Sequence, residues 1–444
     1  MRAGEDGALS EERSDETKRG PLAGLLVADF SRVLAGPYCT MLLADLGATV
    51  VKVEGPAGDE TRHWTPPERD GEATYFLSVN RGKRSITLDF DESADLAVAR
   101  ELARRADVVI ENFRPGGLAR FGLDYDAVRA TNPAVVYASI TGFGPDSNLP
   151  GYDVLAQALS GIMSVTGEAD ASPAKAGVAI VDVVTGLHAG MGVLAALRHR
   201  DVTGEGQRVE VNLLSSALSA LVNQSGAYAL AGVVPQRLGN DHPSIFPYGP
   251  FPTADGDLVL AVGNDRQFAR LCEVLGVPDV AADPRFVRAP DRSVARDVLR
   301  PLLDRALATR PAAEWDAMLG EAGVPCARVL AMDGAFARAR ELGLDPIVHA
   351  GGSQTPGVRH PISLSSTPAK YPWPRRRAMP TGRGSSTFSA VSGTIRADWA
   401  ADQASGTIGR LSARAPVRER RMTCTTPSCC REMPDSRSSP KEVG

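Results

Sequence analysis

The run of elements near the start of the chain is what most limits its fold. The apolar stretch LLVADF (25–30) leads into PYCTMLLADLG (37–47), a helical pattern with Pro37 at its start and Gly47 at its end. TVVKVE (49–54) then returns as a strand. Two strands joined through a helix run parallel, because only antiparallel neighbours can be closed by a tight hairpin. The pattern continues with RSITLDF (84–90), a helix near 92–105, DVVIENF (107–113) and VVYASITGF (135–143). The chain is therefore α/β with a doubly wound parallel sheet, a class that binds ligands at the carboxyl ends of its strands.

Beyond this unit the pattern predicts a long helical region over 185–231, interrupted by a strand in GQRVEVNLL (206–214). A second unit spans 233–330, with GDLVLAVG as a strand and helices near 265–275, 294–307 and 312–322. Residues 331–373 are punctuated by Gly and Pro. At 444 residues the chain exceeds one compact core, which agrees with a large and a small domain. Residues 1–21 are rich in charge and read as a disordered lead-in. No apolar run reaches membrane-spanning length and no signal-peptide core is present, so neither a membrane nor secretion is expected. The six cysteines, at 39, 272, 326, 424, 429 and 430, form no CxxC spacing, and the six histidines form no HExxH. A reducing cytoplasm and no metal follow as expectations. The net charge of −4 gives no footprint for nucleic acid. It is uneven: residues 374–444 carry 13 Lys and Arg against 6 Asp and Glu, in an Arg/Ser-rich tail unlike the body.

Several side chains could carry chemistry. DFSRVLAGP (29–37) is a strand-to-helix loop whose amides could face an anion, although it lacks GxGxxG. NRGKRS (80–85) and ENFRPGGLARFG (111–122) bring Lys83, Arg84, Arg114 and Arg120 to strand ends, either as solvated charges or as phosphate partners. GYDVLAQALSGIMSVTG (151–167) reads as a helix that Asp153 could cap. In GVAIVDVVTGLHAGMGVLAAL (177–197) one carboxylate, Asp182, lies between an apolar strand pattern and a Gly-rich helix; it reads as a cap or as a nucleophile. His188 reads as a packed histidine.

Together VADFSRVLAGPYCTMLLADLGATVVKVEGPAGDETR, NRGKRSITLDF, ADVVIENFRPGGLARFGLDY, ASITGFG and YDVLAQALSGIMSVTG resemble the class III CoA-transferases (the CaiB/BaiF type), over residues 22–373. LGNDHPSIFPYGPFPTADGDLVLAVGNDRQFARLCEVLG (238–276) resembles the branch that uses succinyl-CoA with dicarboxylic acceptors. The resemblance implies that Asp182 is an acylated nucleophile, passing through a mixed anhydride and an aspartyl-CoA thioester. It implies that Val33, Leu34, Ala35, Lys83, Asn112, Phe113, Arg114 and Arg120 contact CoA, and that the CoA thioester is a substrate with no tightly bound cofactor. Arg32, Tyr152, His242 and Tyr248 become candidates for selecting the carboxylic acid acceptor. NDHPSIFPYG stands where formyl-CoA transferase has a mobile run of glycines, so the role of this loop is open.

The family fold implied is a Rossmann-like large domain (22–232, completed by 331–373) with a smaller α+β domain, in an interlocked homodimer. The racemase branch of the family has a His at the position of Tyr152, and a phenol, with a pKa of about 10, is a poor base at neutral pH. A 2-methylacyl-CoA epimerase and a non-catalytic CoA-binding scaffold are the alternatives to transfer. The family's usual C-terminal motif and helix do not follow SSTPAKYPWP, and a frame shift near codon 374 would account for the tail.

Overall fold

The computed structural model describes residues 20–352 and 355–371. Its central sheet holds β1 (Leu26–Asp29), β2 (Thr49–Glu54), β3 (Lys83–Thr87), β4 (Val108–Glu111), β5 (Val136–Thr141) and β6 (Arg208–Asn212). All neighbours are parallel and the order is β3-β2-β1-β4-β5-β6. In this doubly wound order the winding reverses between β1 and β4, and a crevice opens at their carboxyl ends.

Alternation along each strand sends neighbouring side chains to opposite faces. Val27, Val50, Val108 and Val136 belong to one core, while Val51, Val109 and Tyr137 belong to the other. The first face is covered by α1 (Ala35–Asp45), which follows β1 and packs Cys39 and Leu43 on the sheet. The short α2 (Thr74–Val79) precedes β3, and α3 (Ser93–Arg105) covers the second face with Val98 and Leu102. Next come α4 (Asp153–Leu159), α5 (Ile180–Thr203), α6 (Leu213–Ala220) and α7 (Asn223–Ala231).

The sequence reading is corrected at α5. GVAIV is not a strand: the helix begins at Ile180. With 24 residues α5 is also long and apolar enough to cross a membrane, contrary to the expectation that no run qualifies. Here that length is spent on the core, where Val181, Ala189, Val193 and Ala196 are buried beside the sheet and α1.

A separate core gathers Phe246, Phe251, Leu260, Phe268, Leu303 and Trp315. It sits among β7 (Tyr248–Pro252), β8 (Asp257–Ala261), α8 (Asp265–Val274), α9 (Arg296–Leu307), α10 (Ala312–Glu321) and β9 (Cys326–Arg328). The antiparallel order β9-β8-β7 leaves Pro250 and Pro252 on an edge strand, where a missing N–H costs no ladder bond. Residues 332–341, not read as a helix from sequence, form α11 (Met332–Glu341); β10 (Ile347–His349) then pairs with β11 (Pro356–Val358). Gly20, counted in the lead-in, packs so closely on Leu46 that an added Cβ would meet its carbonyl oxygen at 2.6 Å. Residues 1–19 of the lead-in and the 374–444 tail lie outside the described residues.

Candidate active site

A buried ionic cluster builds the floor of the site. Asp29, at the end of β1, accepts hydrogen bonds from the Ser31 amide (3.0 Å), Thr40 Oγ1 (2.6 Å) and Lys83 Nζ (3.1 Å). Burial pushes its carboxyl upward, but Lys83, Lys52 and the two hydroxyls outweigh that and hold it below the ordinary value. Lys83 also donates to the Pro37 carbonyl (2.8 Å) and Asn80 Oδ1 (3.0 Å). An ammonium has three donors, and all three are used. Lys83 is therefore a core cation: the expected CoA contact is corrected by its burial, which also draws its pKa down to about 8.

Lys52 Nζ donates to the Ser31 carbonyl (2.9 Å) and pairs with Asp59 at 2.9 Å. Asp59 in turn accepts from the Val33 amide at 3.3 Å. These contacts hold the loop between β1 and α1 in a strained form, with Val33 at φ 68°, a region that β-branched residues rarely enter. From the β4 side, Asn112 accepts from the Arg32 amide (2.8 Å) and donates to the Arg32 carbonyl (2.7 Å). Its amide thus staples the two loops of the switch point together. The Arg32 guanidinium lies over the Phe113 ring, 5.4 Å from its centre.

Asp182 occupies the first turn of α5 and is 8% exposed. Its carboxylate accepts no hydrogen bond among the described residues. A helix N-terminus favours the charged form, but burial and then the charge of Asp153 win, and the pKa is pushed up to about 7. Asp153 Oδ1 accepts from the amides of Val181 (2.8 Å) and Asp182 (3.0 Å), so it caps α5 rather than its own helix. This is why the β-branched run before Asp182 turns helical: its orphan amides are satisfied from 28 residues upstream. Gly186, one turn beyond Asp182, lets α5 close on the loop. A Cβ there would stand 2.6 Å from the Ala35 carbonyl oxygen.

The loops after β1, β4 and β5 and the start of α5 enclose a cavity of about 900 Å³. Of the expected site residues, Arg32, Val33, Leu34, Ala35, Asn112, Phe113, Arg114, Tyr152 and Asp182 line it. Arg120, His242 and Tyr248 do not. The Arg120 guanidinium lies over Phe121 at 4.3 Å, and the rings of His242 and Tyr248 meet edge to face at 5.3 Å. Trp64, Tyr75, Lys175 and Arg359 also line the cavity and had no sequence signal beyond their residue type. The Tyr75 phenol is pushed up to about 12 by burial and then by Asp182, Asp153 and Asp59, so it stays a donor. Among the described residues no cluster of His, Cys, Asp and Glu is arranged to hold a metal ion.

The model of "CoA-transferase family III" matches residues 22–381, more than three quarters of the chain. The chain belongs to CoA-transferase family III. A succinate–glutarate CoA-transferase of Agrobacterium fabrum is 43% identical over 371 residues, covering 80% of this chain and 92% of the relative. A succinyl-CoA:glutarate CoA-transferase of Mus musculus is 40% identical over 334 residues, covering 74% and 77%. The solved structure of a CaiB/BaiF family protein from Brucella suis superposes with a TM-score of 0.75 at 38% identity, covering 86% of this chain and all of that one. This family III member is an enzyme that transfers coenzyme A, and its α/β fold is that of the CaiB/BaiF proteins.

Proposed function

We propose that the enzyme moves CoA from succinyl-CoA, or a similar short-chain thioester, to a second carboxylic acid with Asp182 as nucleophile. The observation that carries this reading is a buried carboxylate, accepting no hydrogen bond among the described residues, facing a cavity built from the switch-point loops. The Asp182 oxygen attacks the thioester carbonyl, the C–S bond breaks, and CoA leaves as thiolate, giving a mixed anhydride. The thiolate then attacks the Asp182 carbonyl carbon and expels the donor carboxylate, leaving an aspartyl-CoA thioester. The acceptor carboxylate repeats both steps in reverse order and regenerates Asp182. Each intermediate is an activated acyl, so the bond energy is kept provided that water is excluded.

CoA enters as a substrate and no bound cofactor is needed. Arg114, exposed at the cavity rim, is suited to a phosphate of CoA, and Arg32 to the far carboxylate of a dicarboxylic acceptor. The names of the Agrobacterium and mouse relatives support a succinyl donor. A second copy of this chain is the partner we place against the apolar side of α5, where Leu187, Met191 and Leu194 are exposed. Free thiols at Cys39 and Cys272 agree with a cytoplasmic setting.

The test is an incubation in D2O with succinyl-CoA, a 2-methylacyl-CoA and a panel of carboxylic acids, following every thioester by mass spectrometry. New acyl-CoA species that vanish with Asp182→Asn are expected. Deuterium at an α-carbon without a new thioester would overturn transfer in favour of epimerisation.

A further inference from the structure

We propose that Asp153 is the positioning residue of the nucleophile, fixing the first turn of α5 through two backbone amides and placing a second negative charge beside Asp182. The inference rests on the reading of Asp182 as nucleophile.

Asp153 is the first residue of α4, yet its side chain serves another helix. The residue at the natural cap of α5 is Ala179, whose methyl group offers the helix amides no acceptor. Asp153 Oδ1 supplies the missing acceptor to Val181 and Asp182. Its Oδ2 is held by Gln157 Nε2, one turn further along α4. Gln157, itself buried, accepts from the Ala176 amide at 2.8 Å and approaches the Val178 carbonyl at 3.4 Å. Two side chains of α4 thus hold the backbone of 176–182 at four points and deliver Asp182 to the cavity in one orientation.

The charge has a separate effect. The ionisable groups facing Asp182 are Asp153 from α4 and the Tyr75 phenol from α2; the charged groups elsewhere on the cavity wall are Arg32, Glu60, Arg81, Arg114, Lys175 and Arg359, beside the phenols of Tyr38 and Tyr152. Of these, Asp153 is the one that pushes the Asp182 carboxyl upward, adding to burial. A more basic carboxylate is a better nucleophile toward a thioester once ionised.

The two effects separate by mutation in the full-length enzyme, with succinyl-CoA and glutarate as substrates. Asp153→Asn keeps an oxygen for the amides and removes the charge; the acid limb of kcat/KM is expected to move down by about half a pH unit or more. Asp153→Ala removes acceptor and charge, and kcat is expected to fall roughly tenfold further than in Asp153→Asn, with the KM for succinyl-CoA nearly unchanged. Should the Asp153 variants not fold, Gln157→Met tests the clamp with both carboxylates in place, and a kcat loss of roughly fivefold at constant KM is expected. An unmoved acid limb in Asp153→Asn, or a parent-like kcat in Asp153→Ala or Gln157→Met, overturns the proposal. Failure of the underlying reading shows itself separately, because Asp182→Asn would then keep turning over whatever the α4 variants do.

Discussion

At the scale of single residues, Asp182 is held in a state that costs stability. Its pKa of about 7 in the folded protein lies above the ordinary 3.8, so the folded state binds the extra proton between these values. Stability from this group is therefore full below about pH 4 and declines as pH rises toward about 7. Asp182→Asn is expected to raise the melting temperature over the parent at pH 8 and to change it little at pH 4. The free energy involved is on the order of a few kcal/mol. The same substitution should lower CoA transfer by roughly 10⁴-fold or more. In the parent, kcat/KM should fall about tenfold per unit below about pH 7, where the nucleophile is protonated. Lys83 gives the opposite case, a charge that belongs to the core. Lys83→Met takes from Asp29 the buried cation that pairs with it and should cost about 3–5 kcal/mol, read in thermal melts, as for other broken buried pairs. A residue whose role was to bind CoA would instead raise KM and leave the melt in place.

At the scale of elements, the site is the meeting of one helix start with three strand-end loops. α5 reaches the loop only because Gly186 has no Cβ, with the Ala35 carbonyl oxygen and the Tyr38 ring where one would stand. Gly186→Ala must shift the helix by some tenths of an ångström at the point from which Asp182 projects. It should destabilise by about 1–3 kcal/mol and lower kcat, measured by melting and steady-state rates. In the same β1–α1 connection, two residues before Ala35, strain at Val33 is maintained by Asp59 and by the Asn112 clamp on Arg32. The sequence marked this loop as an anion-facing turn, but two residues expected at the ligand support it from outside. Asn112, expected to touch CoA, spends its amide on the backbone, and Lys83 is buried beneath.

At the scale of the whole molecule, the exposed apolar stripe Leu187, Met191 and Leu194 lies on the same helix as the nucleophile. If a second copy covers it, the double variant Met191→Glu with Leu194→Glu should halve the mass measured by light scattering. Parent and variant of equal mass would sink that assignment. The sequence by itself determined the sheet: the Val- and Ile-rich runs recurred with helices between them, and strand and helix periods are local properties that need no tertiary partner. It also determined that Asp182 is exceptional, since one acid in an apolar stretch is visible without coordinates. Only the tertiary structure decided that GVAIV would not be a strand, because the acceptor for its amides comes from Asp153 in a different helix. Only packing decided which cations face the cavity and which face the core, because Lys83 and Arg114 look alike in a string of residues. Desolvation, which moves Asp182 upward and Lys83 downward, is a property of surroundings rather than of a residue, and so it appears when the chain has closed around them.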